Sequence, residues 1–192
     1  LSQESFTSDQ RDALRALCEY LEEPSPYALF LLTGYAGTGK TFLLRTITDL
    51  ALQSGLRVEL MASTGRAAKV LSASTGRPAL TVHRTIYRAS TQMQEEGGSF
   101  QLGRVSATTP TLFIVDEASM IAGDTGEVSP FGSGNLLDDL LSYVWSAEDA
   151  KLIFVGDTAQ LPPVGTPLSD ALNAEVLTSR YGLHVYGMEL RE

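Results

Sequence analysis

The chain has little with which to build a disulfide-linked, zinc-bound or membrane-spanning protein. One cysteine, Cys18, among 192 residues excludes an internal disulfide framework. With only His83 and His184 beside it, no Cys/His cluster of the zinc type can be assembled. No apolar run reaches the roughly 18 to 20 residues that a membrane helix needs. No stretch has the pattern of a signal peptide. A cytoplasmic location with no membrane partner is therefore expected. The first residue is Leu rather than Met, and the natural N-terminus is expected upstream. Positive charge is also scarce: 14 Lys and Arg face 23 Asp and Glu, a formal net charge of −9. That argues against binding nucleic acid through an overall basic surface. Repeats, linkers and low-complexity segments are missing, so a chain that is 43% hydrophobic reads as one globular domain with a sizeable core.

What positive charge there is lies unevenly. Residues 57–104 carry seven Lys and Arg against three Glu, a local +4 that leaves −13 for the remainder. A locally basic segment in an acidic chain suits one nucleic-acid-facing surface, and equally suits scattered surface arginines.

The most informative stretch is Gly34-Tyr35-Ala36-Gly37-Thr38-Gly39-Lys40-Thr41, which fits G-x-x-x-x-G-K-[ST]. Its context matters more than the pattern. Ala28–Thr33 is an apolar run that predicts a buried strand, and the residues from Thr41 onward predict a helix to about Gln53. Between strand and helix, glycines let backbone N–H groups converge on an anion, and the helix N-terminus adds partial positive charge. Lys40 is expected to reach the β- and γ-phosphates, and the Thr41 hydroxyl to ligand Mg²⁺.

Elsewhere the pattern alternates between strand and helix. Thr7 and Gln10 form a capping box for a first helix whose apolar stripe is Leu14, Leu17, Cys18 and Leu21. Arg57–Ala62 predicts a second strand, parallel to the first through a right-handed crossover. Ser63 and Thr64 lead into a helix from Gly65, and Thr81 opens a short one that includes His83 and Arg84. Residues 88–109 lack periodicity and fit a small hairpin or a loop. Thr111–Asp116 predicts a third strand whose apolar run, Leu112–Val115, ends in Asp116-Glu117, as a central parallel strand delivers carboxylates to its C-terminal edge. Residues 122–134 contain four glycines and read as a long surface loop. Leu136–Val144 predicts a helix and Lys151–Asp157 a core strand. Leu168–Leu177 has helical character, and Leu183–Met188 predicts a last strand.

In an open parallel sheet, ligands sit beyond the carboxyl ends of the strands. The expected constellation is therefore the glycine loop, Ser63-Thr64, Asp116-Glu117 and the segment from Asp157 to Gln160. Asp116 would hold the Mg²⁺ water shell opposite Thr41, Glu117 would orient or deprotonate the attacking water, and Gln160 would sense the γ-phosphate through its amide. The chemistry is hydrolysis of a nucleoside triphosphate by positioning and electrostatics.

Taken together, these segments resemble the first motor domain of superfamily-one DNA helicases, in particular the RecD-like branch that includes the alpha subunit of exodeoxyribonuclease V. Gly34–Thr41 resembles that family's first nucleotide motif. Thr7–Gln10 resembles its adenine-reading motif, which implies a nucleotide role for Gln10 beside Gly34, Ala36, Gly37, Thr38, Gly39, Lys40 and Thr41. Val115–Met120 resembles the Mg²⁺ and water-activating motif, and Gly156–Val164 the motif that couples γ-phosphate state to DNA. Ala62–Ala68 and Thr81–Arg84 resemble segments that contact a single strand, implying DNA contacts at Ser63, Thr64, Arg66, His83 and Arg84. Ser63 stands where the family more often has Pro. The resemblance implies an α/β RecA-like P-loop NTPase with a central, mostly parallel sheet flanked by helices, using ATP and Mg²⁺. It implies single-stranded DNA as a partner, translocation five-prime to three-prime, and roles in DNA repair and recombination alongside nuclease or helicase subunits. A second RecA-like domain of the same polypeptide, with the arginine that reaches across to the γ-phosphate, is expected beyond Glu192, so the chain alone should hydrolyse slowly. In the family a strand-splitting hairpin often fills the interval occupied here by 88–109. Two other classes fit less of the sequence: a P-loop ATPase of another remodelling type, and a non-catalytic nucleotide-binding module.

Overall fold

The computed structural model describes residues 6–89, 100–106, 108–121, 123, 130–157 and 169–191. Its centre is a six-stranded sheet built from β1 (Ala28–Gly34), β2 (Arg57–Ala62), β3 (Ala79–Thr81), β6 (Thr111–Asp116), β7 (Ala150–Gly156) and β8 (His184–Leu190). The order is β3-β2-β6-β7-β1-β8, and every pairing is parallel. The expected strands are all present, but β1 and β2 are not neighbours. β6 and β7, which arrive later in the chain, lie between them. β3 had no sequence signal. At three residues after Pro78 it is too short to show a period, and it is defined by pairing with Leu60–Ala62.

Strand alternation divides the core. On β1, Leu29 and Leu31 join one apolar cluster, while Ala28, Phe30 and Leu32 join the other. Helices α1 (Ser8–Glu22), α2 (Lys40–Gln53) and α3 (Gly65–Thr75) contribute to the second cluster. Helices α4 (Val82–Ile86), α5 (Leu136–Val144) and α6 (Ala174–Ser179) contribute to the first. The helical character from Leu168 resolves, within the described residues, into a single 3-10 turn at Asp170–Leu172 followed by α6. Tyr87–Ala89 (β4) and Phe100–Leu102 (β5) pair antiparallel outside the main sheet.

The buried stripe of α1 is rotated from the expected one. Ala13, Leu17 and Tyr20 are buried, whereas Leu14, Cys18 and Leu21 are half-buried. Tyr20 decides this rotation. Its hydroxyl lies 2.8 Å from Ala28 O and 2.9 Å from Leu152 O, and it accepts from Leu152 N–H at 2.9 Å. A buried phenol is tolerated because it satisfies backbone groups of β1 and β7. Tyr20→Phe should therefore destabilise the chain by about 1–3 kcal/mol, since it leaves those groups unpaired without removing apolar area. Urea unfolding checks this: an unchanged midpoint would contradict it.

α2 leaves β1 on one face of the sheet, whereas the 3-10 turn and α6 that follow β7 lie on the other. β1 and β7 are adjacent, so the crevice where the chain direction switches opens above them.

Candidate nucleotide site

The glycine loop follows β1 into that crevice. Gly39 has φ +85° and caps α2 without a side-chain hydrogen bond, so the first N–H groups of a 14-residue helix have no side-chain partner at the cap. A side chain at Gly39 would also meet the Gln10 amide. Gly34 serves a different need. A Cβ there would lie 2.7 Å from Leu190 O, so glycine permits β8 to close against the loop. The loop is braced from within by Thr38 Oγ1, which donates to Tyr35 O at 2.9 Å. It is braced from behind by Gln10, whose Nε2 donates to Thr38 O at 3.1 Å while its Oε1 accepts from Thr7 N–H at 3.1 Å. The capping box is thus present and is tied to the loop. Lys40 Nζ donates to Gly34 O at 2.5 Å and Tyr35 O at 2.8 Å, so its charge is held at the loop by carbonyl groups.

A cavity of about 620 Å³ lies over the loop. Ala36, Gly37, Gly39, Lys40 and Thr41 line it from α2 and its approach, Asp116 and Glu117 from the end of β6, and Gly156 and Asp157 from the end of β7. Gly34, Thr38 and Gln10 shape the loop without lining the cavity. The half-buried Asp116 carboxyl is raised above its ordinary range, first by desolvation; the Glu117 N–H bond and Lys40 oppose the rise, and the Glu117 carboxylate adds to it. Asp116 Oδ1 accepts the Glu117 N–H at 2.9 Å. Glu117 has φ +53° and ψ +40°, a left-handed conformation that costs a non-glycine residue about 1–2 kcal/mol. Strain of this kind concentrates at functional positions.

The residues suit a hard cation. A desolvated carboxyl held above its ordinary range gains from a positive partner, and Thr41 supplies a hydroxyl on the same cavity. Among the described residues no three His, Cys, Asp or Glu side chains cluster as a self-sufficient metal cage. A cation here would accordingly share phosphate ligands with the nucleotide, the usual arrangement for Mg²⁺.

The five expected strand-contacting residues divide. Thr64 is the N-cap of α3, accepting from Ala67 N–H at 3.2 Å, and with the exposed Arg66 it lines the nucleotide cavity. Ser63 N–H donates to Asp116 O at 3.2 Å, and its hydroxyl is buried without a partner among the described residues. His83 and Arg84 lie on α4, away from the cavity lining, and both are exposed. The His83 ring packs 5.3 Å from Phe131 and 5.7 Å from Tyr87, and partial desolvation lowers its pKa. Gln160 lies outside the described residues, as do Thr158 to Leu168 around it. Sequence reasoning missed the placement of Arg66 on the nucleotide side. Its spacing from Thr64 at the start of α3 was the available signal, but only the sheet order shows which cavity that helix start adjoins.

A family model described as an AAA domain matches residues 5–179. The ATP-dependent RecD2 DNA helicase of Deinococcus radiodurans is 38% identical over 150 residues, covering 77% of this chain and 18% of that protein. The chain thus spans less than a fifth of that curated relative. Among solved structures, Pif1 helicase from Candida albicans matches with a TM-score of 0.58 at 21% identity, over 98% of this chain and 40% of that one. Pif1 from Bacteroides in complex with ADP-AlF3 and single-stranded DNA matches with a TM-score of 0.53 at 19% identity, over 98% and 42%. The fold is that of a P-loop NTPase domain. Among the described residues, no helix is long and apolar enough to cross a membrane.

Proposed function

Because this chain belongs to the AAA-domain family, matched over residues 5–179, we propose that it is the ATP-binding motor domain of a DNA helicase. The observation that carries this reading is the meeting of Lys40, Thr41, Asp116, Glu117 and Asp157 on one cavity at the carboxyl ends of β1, β6 and β7. The 38% identity to a RecD2 DNA helicase supports the choice of DNA motor over other P-loop ATPases.

In this proposal the α2 N-terminus and loop amides bind the polyphosphate, and Lys40 turns from the loop carbonyls to the β- and γ-phosphates. Thr41 and Asp116 would hold Mg²⁺, which would supply charge neutralisation at the phosphoryl oxygens. Glu117 orients the attacking water and accepts its proton, positioned by the strained turn after β6. Gln160 reports γ-phosphate state. Gln10 braces the loop and keeps one N–H and one lone pair for the adenine edge. Ser63, Thr64 and Arg66 form the junction between nucleotide and strand, and His83 and Arg84 contact single-stranded DNA farther along the same edge. A second RecA-like domain of the parent polypeptide supplies an arginine to the γ-phosphate; such a finger is worth about 10³ to 10⁵ in rate. Five-prime to three-prime movement, nuclease or helicase partner subunits, and roles in DNA repair and recombination belong to the same proposal.

The test is ATP hydrolysis by the parent polypeptide with and without oligothymidylate. Strong stimulation is expected, with affinity for the strand falling with salt at a log–log slope of about −0.7 per phosphate neutralised. Turnover without any response to DNA would overturn the helicase reading and favour a remodelling ATPase.

A further inference from the structure

The glycine-rich segment before α5 had no assigned purpose in the sequence, and its described end does something specific. Phe100 N–H donates to Pro130 O at 2.9 Å, and Gly132 N–H donates back to Phe100 O at 3.0 Å, so residues 130–132 add a short bridge to β5. The Phe131 ring stacks on Phe100 at 4.7 Å and 23°, and lies 5.4 Å from Tyr87 on β4 and 5.3 Å from His83 on α4. One side chain therefore touches both strands of the β4–β5 pair and the candidate DNA-contacting histidine.

Beneath this ring the segment is pinned to α5. Asp139 is buried, and its Oδ2 accepts from the Tyr87 hydroxyl at 2.7 Å and from Ser133 N–H at 2.9 Å. Gly132 has φ +46°, and a Cβ there would collide with the Asp139 carboxylate and the Tyr87 ring. Asn135 then caps α5, accepting from Asp138 N–H at 3.1 Å. A buried carboxylate with two good donors, under a set of mutually packed rings, fixes a unique arrangement that apolar contact alone would leave free to slide.

We propose that residues 130–135 are a clamp in which Phe131 is a positioning residue, holding His83 and the β4–β5 pair as one unit that faces the DNA strand. Asp139 and Tyr87 lock the base of the clamp. The identity of what the unit faces rests on the DNA-motor proposal above; the clamp itself rests on the geometry of these residues.

Two readouts on the parent polypeptide test it. In Phe131→Ala, hydrogen exchange at the Phe100 and Gly132 amides should accelerate at least tenfold, while amides of β1 and β6 keep their protection. Fluorescence anisotropy with labelled oligothymidylate should show about fivefold weaker binding, equivalent to roughly 1 kcal/mol, with affinity for Mg²⁺-ATP unchanged within twofold. Phe131→Tyr, which keeps the ring, should restore both. His83→Ala should weaken strand binding similarly, and the double variant should bind no worse than either single one, because both remove the same contact. Unchanged exchange in Phe131→Ala would overturn the clamp. Faster exchange with unchanged strand affinity, or additive losses in the double variant, would overturn the positioning role. If the unaltered parent polypeptide fails to bind the oligonucleotide, the DNA reading fails, and the exchange result alone decides the clamp. Tyr87→Phe, which deletes only the bond to Asp139, provides the same exchange readout should Phe131→Ala fold poorly.

Discussion

Replacing Glu117 with Gln lowers ATP turnover of the parent polypeptide by about 10²- to 10⁴-fold, the range expected for removing a general base. Nucleotide affinity stays within a few-fold. Glutamine keeps the side-chain length and the hydrogen-bonding reach of Glu117 and loses the carboxylate that accepts the proton. It also keeps the backbone problem, since φ at this position is +53° and Gln is no more comfortable there than Glu. A second substitution separates chemistry from strain. Glu117→Gly should lose turnover to a similar extent while stabilising the fold by up to about 1 kcal/mol, because glycine adopts the left-handed conformation without a steric penalty. That combination of lower activity with higher stability identifies a residue held in strain for its chemistry. Steady-state hydrolysis and urea unfolding on the two variants measure it. Hydrolysis at the unaltered rate in Glu117→Gln would remove Glu117 from the mechanism.

The parts of this site that could be read in the sequence are those where one local stretch dictates its own geometry. Gly39 takes φ +85° at the cap of α2, a conformation glycine reaches without strain, and the G-x-x-x-x-G-K-T spacing places a glycine there. Asp116 and Glu117 are legible because the short apolar run Leu112–Val115, rich in β-branched and aromatic residues, reads as an interior strand, and an interior strand ends at the sheet edge. What the sequence could not show depends on partners distant in the chain. β3 exists because Leu60–Ala62 offers an unpaired edge, and three residues carry no period of their own. The adjacency of β1 and β7, which creates the crevice, is a choice of strand order that a strand–helix–strand pattern leaves open. Tyr20 displaced the expected aliphatic stripe because its hydroxyl reaches Leu152, 132 residues away. Phe131 sits in a glycine-rich stretch with no apolar pattern, and only β5 and α4 arriving beside it turn that phenylalanine into a contact. Arg66 is similar: its helix position was legible, whereas the cavity it adjoins is set by where β2 stands relative to β6.

Lys40→Ala should reduce affinity of the chain for Mg²⁺-ATP by about 30-fold or more, from the ~2–5 kcal/mol typical of losing one partner of a desolvated charge pair. The structure indicates why this loss should appear in binding and scarcely in folding. Lys40 Nζ is engaged with Gly34 O and Tyr35 O, two carbonyls of the loop's own approach. Lys40 is half-buried, and neither carbonyl depends on it in a dry core, so water can replace the ammonium when the side chain is removed. The loop conformation has other supports: Thr38 on Tyr35 O, Gln10 on Thr38 O, and the close approach of Gly34 to Leu190. The variant should therefore fold with a melting temperature close to that of the unaltered chain in the absence of nucleotide. The difference emerges on addition of Mg²⁺-ATP. A ligand present at 100 times its dissociation constant stabilises the native state by about 2.7 kcal/mol. The unaltered chain should show that upward shift at an ATP concentration where Lys40→Ala shows almost none. Lys40→Arg should not rescue, because a planar guanidinium cannot take the place of a compact ammonium among converging loop carbonyls and phosphates. A nucleotide-dependent shift of equal size in Lys40→Ala would mean that the loop amides and the α2 N-terminus hold the polyphosphate unaided. The lysine would then act on the transferred phosphoryl group alone, and its loss would appear in turnover instead.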